Sequence, residues 1–450
     1  MSVGLIDSAL FKDMFGTESM RSIFSDEGLL QRYLDIEVAL ARVQARLGMI
    51  PREAVDEIAR KATIDNLDMT ELKKQTELVG RAIFPLVQQL AKACDGDAGG
   101  YVHWGAATPD IMDTGAVLQI RDGLAVIEAD LMRLESVLTG LATLHRATVM
   151  IGRTNGQHAL PITFGYKVAV WLDEMHRHLQ RLREMRERVL VVQFGGAVGT
   201  LASQGGRGLE LLAALAQELR LGQPAITWHT ARDRICEVVL LLGMISATLG
   251  KVANEMWLLT KTEIAELAEP FTHGRGASST MPQKRNPRYS EAVIGISKMV
   301  RQYAAMALDS MVQEHERAGG PWIVQWSALP QAFVLTSGAL HQSIVMLEGM
   351  FVDKERMRAN AMLTQGMTAA EAVMMELAPH IGRQHAHELV YSACRDAKGN
   401  NRTLLDSLAA LPEVTKHLPR AQLAKMIEPE YYLGHAVEFV DRVLAQSRSN

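Results

Sequence analysis

Apolar positions recur with helical spacing over most of this chain. From Val168, the residues Trp171, Leu172, Met175, Leu179, Leu182, Met185 and Val189 follow in steps of three and four, which puts them on one helical stripe. Asp173, Glu174, Arg177, Arg181, Arg183 and Glu187 take the other face. The same spacing predicts long helices from about Ile111 to Leu144, Ile235 to Leu267, Ala292 to Met311 and Leu329 to Met350. These are well above the usual length of about 11–12 residues and suggest a bundle. No strand-turn-strand alternation stands out, so the pattern predicts an all-α chain.

Glycine and proline divide that pattern in three. Gly96-Asp97-Ala98-Gly99-Gly100 and Gly105-Ala106-Ala107-Thr108-Pro109-Asp110 precede the first long helix. Shorter periodic stretches, broken by Gly366, Pro379, Gly382 and Pro412, follow the last. The expected domains are an N-terminal helical domain, 1–109, a central long-helix bundle, 110–360, and a C-terminal helical domain, 361–450.

Composition changes this picture little. Of 450 residues, 48% are hydrophobic and 22% charged, which excludes wholesale disorder. A net charge of −4 gives no reason to expect nucleic acid. Cys94, Cys236 and Cys394 are far apart and predict buried free thiols, not a disulfide framework or zinc site. The N-terminal residues do not read as a signal peptide. The most apolar stretch, Val238 to Gly250, is shorter than the roughly 18–20 residues that span a bilayer. A cytoplasmic protein without membrane contact is expected. His176 and His178 are two apart on a helix and do not face each other, so no metal is expected.

One stretch interrupts the helices with dense chemistry: Gly274-Arg275-Gly276-Ala277-Ser278-Ser279-Thr280-Met281-Pro282-Gln283-Lys284-Arg285-Asn286-Pro287. It is too rich in Gly, Ser and Pro for a helix, and it combines hydroxyls, cations and an amide suited to anions. It resembles the signature loop of the fumarase/aspartase superfamily, with Ala277 where a glycine is usual. Gly105–Gly115, which contains Thr108 and Asp110, and Gly152–Gly165, which contains Thr154, Asn155, Gln157 and His158, resemble the superfamily's two other signature regions in order and spacing. The resemblance covers essentially the whole chain. It implies a three-domain, all-α subunit, a homotetramer with sites shared between subunits, no cofactor, and a small dicarboxylate or tricarboxylate substrate.

The resemblance also assigns roles. Ser278 would transfer the proton at a carbon next to a carboxylate, with Ser279 as its local competitor. Lys284 and Asn286 would hold a substrate carboxylate, and Thr108, Thr154 and Gln157 would add donors. Asp110 is better placed to cap the following helix. Asn155 stands where fumarases and adenylosuccinate lyases usually carry a histidine, although Glu291 keeps the position of that histidine's partner. Asparagine does not transfer protons at neutral pH. Either His158 does so instead, or the leaving group needs no proton. A carboxylate leaving group points to the branch resembling the 3-carboxy-cis,cis-muconate cycloisomerases, which close a lactone through an aci-carboxylate-type intermediate. Trp228-His229-Thr230 and Gln313-Glu314-His315-Glu316-Arg317 fit that branch, with His315 and Arg317 as candidate substrate contacts. The alternative is a C–N or C–O lyase that releases fumarate from a substituted succinate. Gly195–Gly199 follows a helix, not a strand, and reads as a bend and not a dinucleotide fingerprint.

Overall fold

The structure, a computed structural model, describes residues 4–447. Helices dominate it, and the long ones, Thr108–Leu144, Phe164–Val189, Asp233–Leu259, Arg288–Asp309 and Gly320–Glu348, form a central bundle. Two expected boundaries move. The helix predicted to reach Leu267 ends at Leu259, and Leu267–Ala268 instead pairs with Phe351–Val352 as a short antiparallel ladder. Ile264 and Leu267 had prolonged the apparent period beyond the real end. The helix predicted from Leu329 begins at Gly320 and carries Pro330 inside. It is apolar on all faces, so no stripe marks its start.

The expectation of no strand-turn-strand element is also corrected. Val149–Thr154 and Gln157–Thr163 form an antiparallel hairpin. Pro161 and a register shift between Ile151 and Arg153 break the alternation that would have marked it.

The chain packs as two compact units, each discontinuous in sequence. The first comprises residues up to Leu131, His178–Gly250 and Ala292–Gln342. Here the long helices approach closely where glycines leave room. A Cβ on Gly123 would lie 2.8 Å from the Phe333 ring, and one on Gly250 would lie 2.4 Å from Ser297 Oγ. Ser246 and Thr336 hydroxyls pair at 3.1 Å between buried helix faces. The helix Asp26–Arg46 starts at the cap Ser25, whose hydroxyl accepts from Gly28 N–H. It buries Leu30, Leu34 and Val43 in a core shared with Leu211 and Leu215. The most apolar long helix, Asp233–Leu259, is apolar enough to cross a membrane by composition, but 61% of its most apolar window is buried inside the protein. That is the condition of a core helix in a soluble protein.

The second unit comprises Met132–Arg177, Lys251–Glu291 and the residues from Ser343 on. Its helix segments are tied by Lys167–Glu255 (2.6 Å) and Arg133–Glu348 (3.0 Å). The later helices close a separate core around Val373, Leu377, Val390, Leu404 and Leu423. All three cysteines are free; Cys236 is buried, and Cys94 and Cys394 are half-buried.

Candidate active site

The hairpin brings four of the expected site residues to one tip. Thr154 pairs with Gln157, leaving Asn155 and Gly156 as a two-residue loop. Both have positive φ, 52° and 76°. A loop of that shape favours Asn-Gly, because asparagine tolerates the left-handed region and glycine has no Cβ to clash. Asn155 therefore has a conformational role beside any chemical one. The four residues 154–157 are exposed, and His158 behind them is half-buried. Beneath the tip, Arg153 donates two hydrogen bonds to the fully buried Glu266 carboxylate (2.6 and 3.1 Å), which also accepts from Asn360 (2.8 Å). Burial, helped by the Arg153 cation and opposed by Glu266, holds the His158 imidazole below its ordinary pKa. Its Nδ1 is buried with no hydrogen-bond partner among the described residues.

The signature loop is closed at its base by backbone bonds. Asn286 donates to the Gly276 carbonyl from both its backbone N–H (3.0 Å) and its side-chain amide (2.9 Å). Expected as a carboxylate ligand, Asn286 thus already spends one donor on loop geometry. Within the loop, Ser278 Oγ accepts from the backbone N–H groups of Met281 (3.0 Å) and Thr280 (3.3 Å). Two such donors stabilise negative charge on the oxygen they face. Lys284 is exposed. The loop's arginines are pinned by rings: Arg275 lies 3.4 Å over Tyr289, and Arg285 4.0 Å over Phe271. Glu269, which no motif in the sequence singles out, accepts from Tyr289 N–H, Ser290 N–H and the Ser290 hydroxyl at the start of the helix Arg288–Asp309. It holds the loop's exit by capping. Glu291 pairs with Arg288 at 2.5 Å on the surface. Among the described residues no hydrogen bond joins this loop to the hairpin.

The third group lies in the first unit, around the start of the helix Thr108–Leu144. Asp110, 1% exposed, accepts from Ala107 N–H (2.9 Å), which is the expected capping contact. It does more. Its two oxygens also accept from Gly195 N–H (2.8 Å) and Gly196 N–H (2.9 Å), and His229 Nε2 sits 3.3 Å away. The Gly195–Gly199 run, read from sequence as a bend, is in fact a loop whose N–H groups wrap a buried carboxylate. Arg317 was expected as an anion clamp. One of its guanidinium nitrogens donates to the carbonyls of Ala197 (2.6 Å) and Gly196 (3.5 Å), and so also fixes the same loop. His315 is exposed with φ 49°, and Thr108 is half-exposed at the helix start. His103 is spent on Glu37 (2.6 Å); burial opposes its charged form, but the Glu37 and Asp110 carboxylates together outweigh burial and raise its pKa. Among the described residues no group of three or more His, Cys, Asp or Glu is arranged to hold a metal ion.

These three groups are the three regions that the sequence marked out, and the first and third are held by bonds to residues far along the chain. The family model described as "Lyase" matches residues 15–301, and that described as "Adenylosuccinate lyase C-terminus" matches residues 366–443. The chain belongs to the fumarase/aspartase lyase superfamily. A relative named 3-carboxy-cis,cis-muconate cycloisomerase from Acinetobacter baylyi is 43% identical, over 98% of this chain and 99% of its own. Trans-aconitate decarboxylase 1 from Mycosarcoma maydis is also 43% identical, over 99% of this chain and 90% of its own. The solved structure of the 3-carboxy-cis,cis-muconate lactonizing enzyme from Pseudomonas putida superposes with a TM-score of 0.93 at 42% identity, covering 98% of this chain and 99% of that one. Members of this superfamily with full-length similarity to the chain are enzymes acting on small carboxylates, and the all-α, long-helix fold is theirs. Their names differ in reaction, so the site chemistry has to separate the members.

Proposed function

We propose that the protein closes 3-carboxy-cis,cis-muconate to its carboxymuconolactone. The observation that carries this reading is at the hairpin tip, whose two candidate proton donors are both poor ones. Asn155 does not titrate, and His158 is held below its ordinary pKa by burial and Arg153. A carboxylate, with a pKa of about 4, attacks or departs as an anion and needs no such acid. An amine or alkoxide leaving group does need one.

In the proposed reaction a substrate carboxylate oxygen bonds to the conjugated carbon β to a second carboxylate. The displaced electron pair moves into that second carboxylate as an aci-carboxylate dianion. Ser278 then gives its proton to the carbon between them, and one proton is taken up from water overall. The N–H groups of Met281 and Thr280 hold the serine oxygen while it is charged. Lys284 and Asn286 face the dianion, with Thr108, Thr154 and Gln157 as further donors and Asn155 against the substrate. His315 and Arg317 bind the remaining carboxylates. The enzyme acts as a cytoplasmic homotetramer whose sites each draw on several subunits, with the subunit organised as residues 1–109, 110–360 and 361–450. No cofactor takes part.

The second reading is a lyase releasing fumarate from a substituted succinate, and the match to the adenylosuccinate lyase C-terminus favours it. Turnover of 3-carboxy-cis,cis-muconate, a succinyl amine and trans-aconitate by the wild type and Asn155→His separates the readings. We expect loss of diene absorbance with a single product, and Asn155→His should raise only the ratio of amine cleavage to lactone formation. Histidine also tolerates positive φ, so the hairpin survives the change. Wild-type C–N cleavage on the order of 1–1,000 per second would overturn the assignment. So would decarboxylation of trans-aconitate with no lactone formed.

A further inference from the structure

The first unit contains a cavity of about 320 Å³ that none of the expected site residues lines. It opens between the start of the helix Asp26–Arg46, the turn between the helices Met69–Val79 and Ile83–Ala93, and the helix Gly320–Glu348. Its floor is electrically closed. Arg232 donates two hydrogen bonds to Asp113 at 2.8 and 2.9 Å, each side chain nearly fully buried, and Trp322 Nε1 donates to the same carboxylate at 3.1 Å. Its wall is aromatic: the Trp322 and Trp326 rings meet edge to face at 5.3 Å.

Arg81 stands over both indoles, 5.3 Å from the Trp322 ring and 4.7 Å from the Trp326 ring. One guanidinium nitrogen donates to the Gly80 carbonyl, and among the described residues no carboxylate lies within 4.0 Å of Arg81. Stacking fixes the guanidinium plane and leaves its edge donors available. Close by, the Thr76 hydroxyl lines the cavity, buried with no hydrogen-bond partner among the described residues. A buried hydroxyl without a partner is destabilising unless a ligand or water satisfies it. The rim acid, Asp26, is exposed.

We propose that this cavity binds a small planar carboxylate, conjugated or aromatic, with its flat face against Trp322 and Trp326 and its carboxylate on the Arg81 edge and Thr76. The volume is at the low end for ligand sites, about 300–1,000 Å³, which suits a small acid. Met112 and Asp113 line it one helical turn after Thr108, and Trp322 follows Arg317 closely in sequence. The cavity thus continues the candidate site within its own unit and receives the arm of the substrate that does not react. This last step rests on the proposed function; binding of the acid does not. Arg81, Trp322 and Trp326 are then specificity-determining residues.

The test uses benzoate as a planar acid and benzyl alcohol as an uncharged probe of similar shape, titrated into the full-length protein by calorimetry and tryptophan fluorescence. Benzoate is expected to bind saturably and to quench fluorescence, and benzyl alcohol to bind more weakly. Arg81→Leu and Trp326→Leu should each weaken benzoate by about tenfold or more, and Arg81→Lys should recover part of that loss. Arg81 lies in a turn and Trp326 is 37% exposed, so both variants should fold, as circular dichroism checks. In turnover, Arg81→Leu should raise KM for 3-carboxy-cis,cis-muconate by more than it lowers kcat. No saturable benzoate binding, or binding that Arg81→Leu leaves unchanged, overturns the proposal. Arg81-dependent binding without lactone formation would overturn the proposed reaction and leave the cavity assignment standing. Lactone formation with an unmoved KM would do the reverse.

Discussion

Ser278→Ala is expected to leave the fold intact and to slow turnover by about 10²–10⁴-fold, the usual contribution of one positioned proton-transfer group. The fold should survive because Ser278 Oγ accepts only two short-range bonds, from Met281 and Thr280 N–H groups in its own loop. The loop is closed independently by Asn286 on the Gly276 carbonyl and by Glu269 at its exit. The rate should fall because those same N–H groups would stabilise the charged serine oxygen, and alanine leaves them nothing to hold. Ser279→Ala, the neighbouring hydroxyl, should cost far less. The check is kcat for both variants, with circular dichroism as the control. Activity of Ser278→Ala within about tenfold of wild type, below the expected range, would remove the serine from the mechanism.

Asp113→Ala should destabilise the protein by about 3–5 kcal/mol. Both Asp113 oxygens are engaged by Arg232, and both side chains are almost fully buried, 3% and 2% exposed. Removing the acid leaves a buried guanidinium without its partner, and Trp322 Nε1 loses its acceptor. Gln325 Oε1, at 2.9 and 2.5 Å from Arg232, remains but carries no charge. Glu291→Ala is the contrast. Its pair with Arg288 is about half exposed on both sides and should be worth no more than about 1 kcal/mol. Shifts in denaturant midpoint measure the difference. Equal shifts would mean that the buried pair is not what holds the cavity floor together.

The long helices were legible in the sequence where they carry a stripe with one period, as in Val168–Val189. Their ends were less so. The helix Gly320–Glu348 is apolar all round and hides its start, and Ile264 and Leu267 imitate helix beyond Leu259. The hairpin was missed although Asn155-Gly156 is the sequence signal for its turn. Read as a chemical departure at Asn155, the pair drew attention away from its backbone. The three signature regions were legible as motifs of residue type. What holds them was not, because it is spatial. Asp110 collects N–H groups from positions 107, 195 and 196, and Arg317 closes that loop from far along the chain. No spacing rule predicts such a meeting. The cavity wall shows the same limit, since Arg81 and Trp326 are far apart in sequence and stack in space.

The reaction itself is tested most directly by incubating the enzyme with 3-carboxy-cis,cis-muconate in D₂O and reading the product by NMR. The expected product is a lactone carrying one deuteron, on the carbon next to the carboxylate that held the dianion, formed rapidly by wild type and very slowly by Ser278→Ala. A folded, assembled enzyme that gives no lactone while releasing fumarate from a succinyl adduct would contradict it, as would a lactone formed equally fast without Ser278.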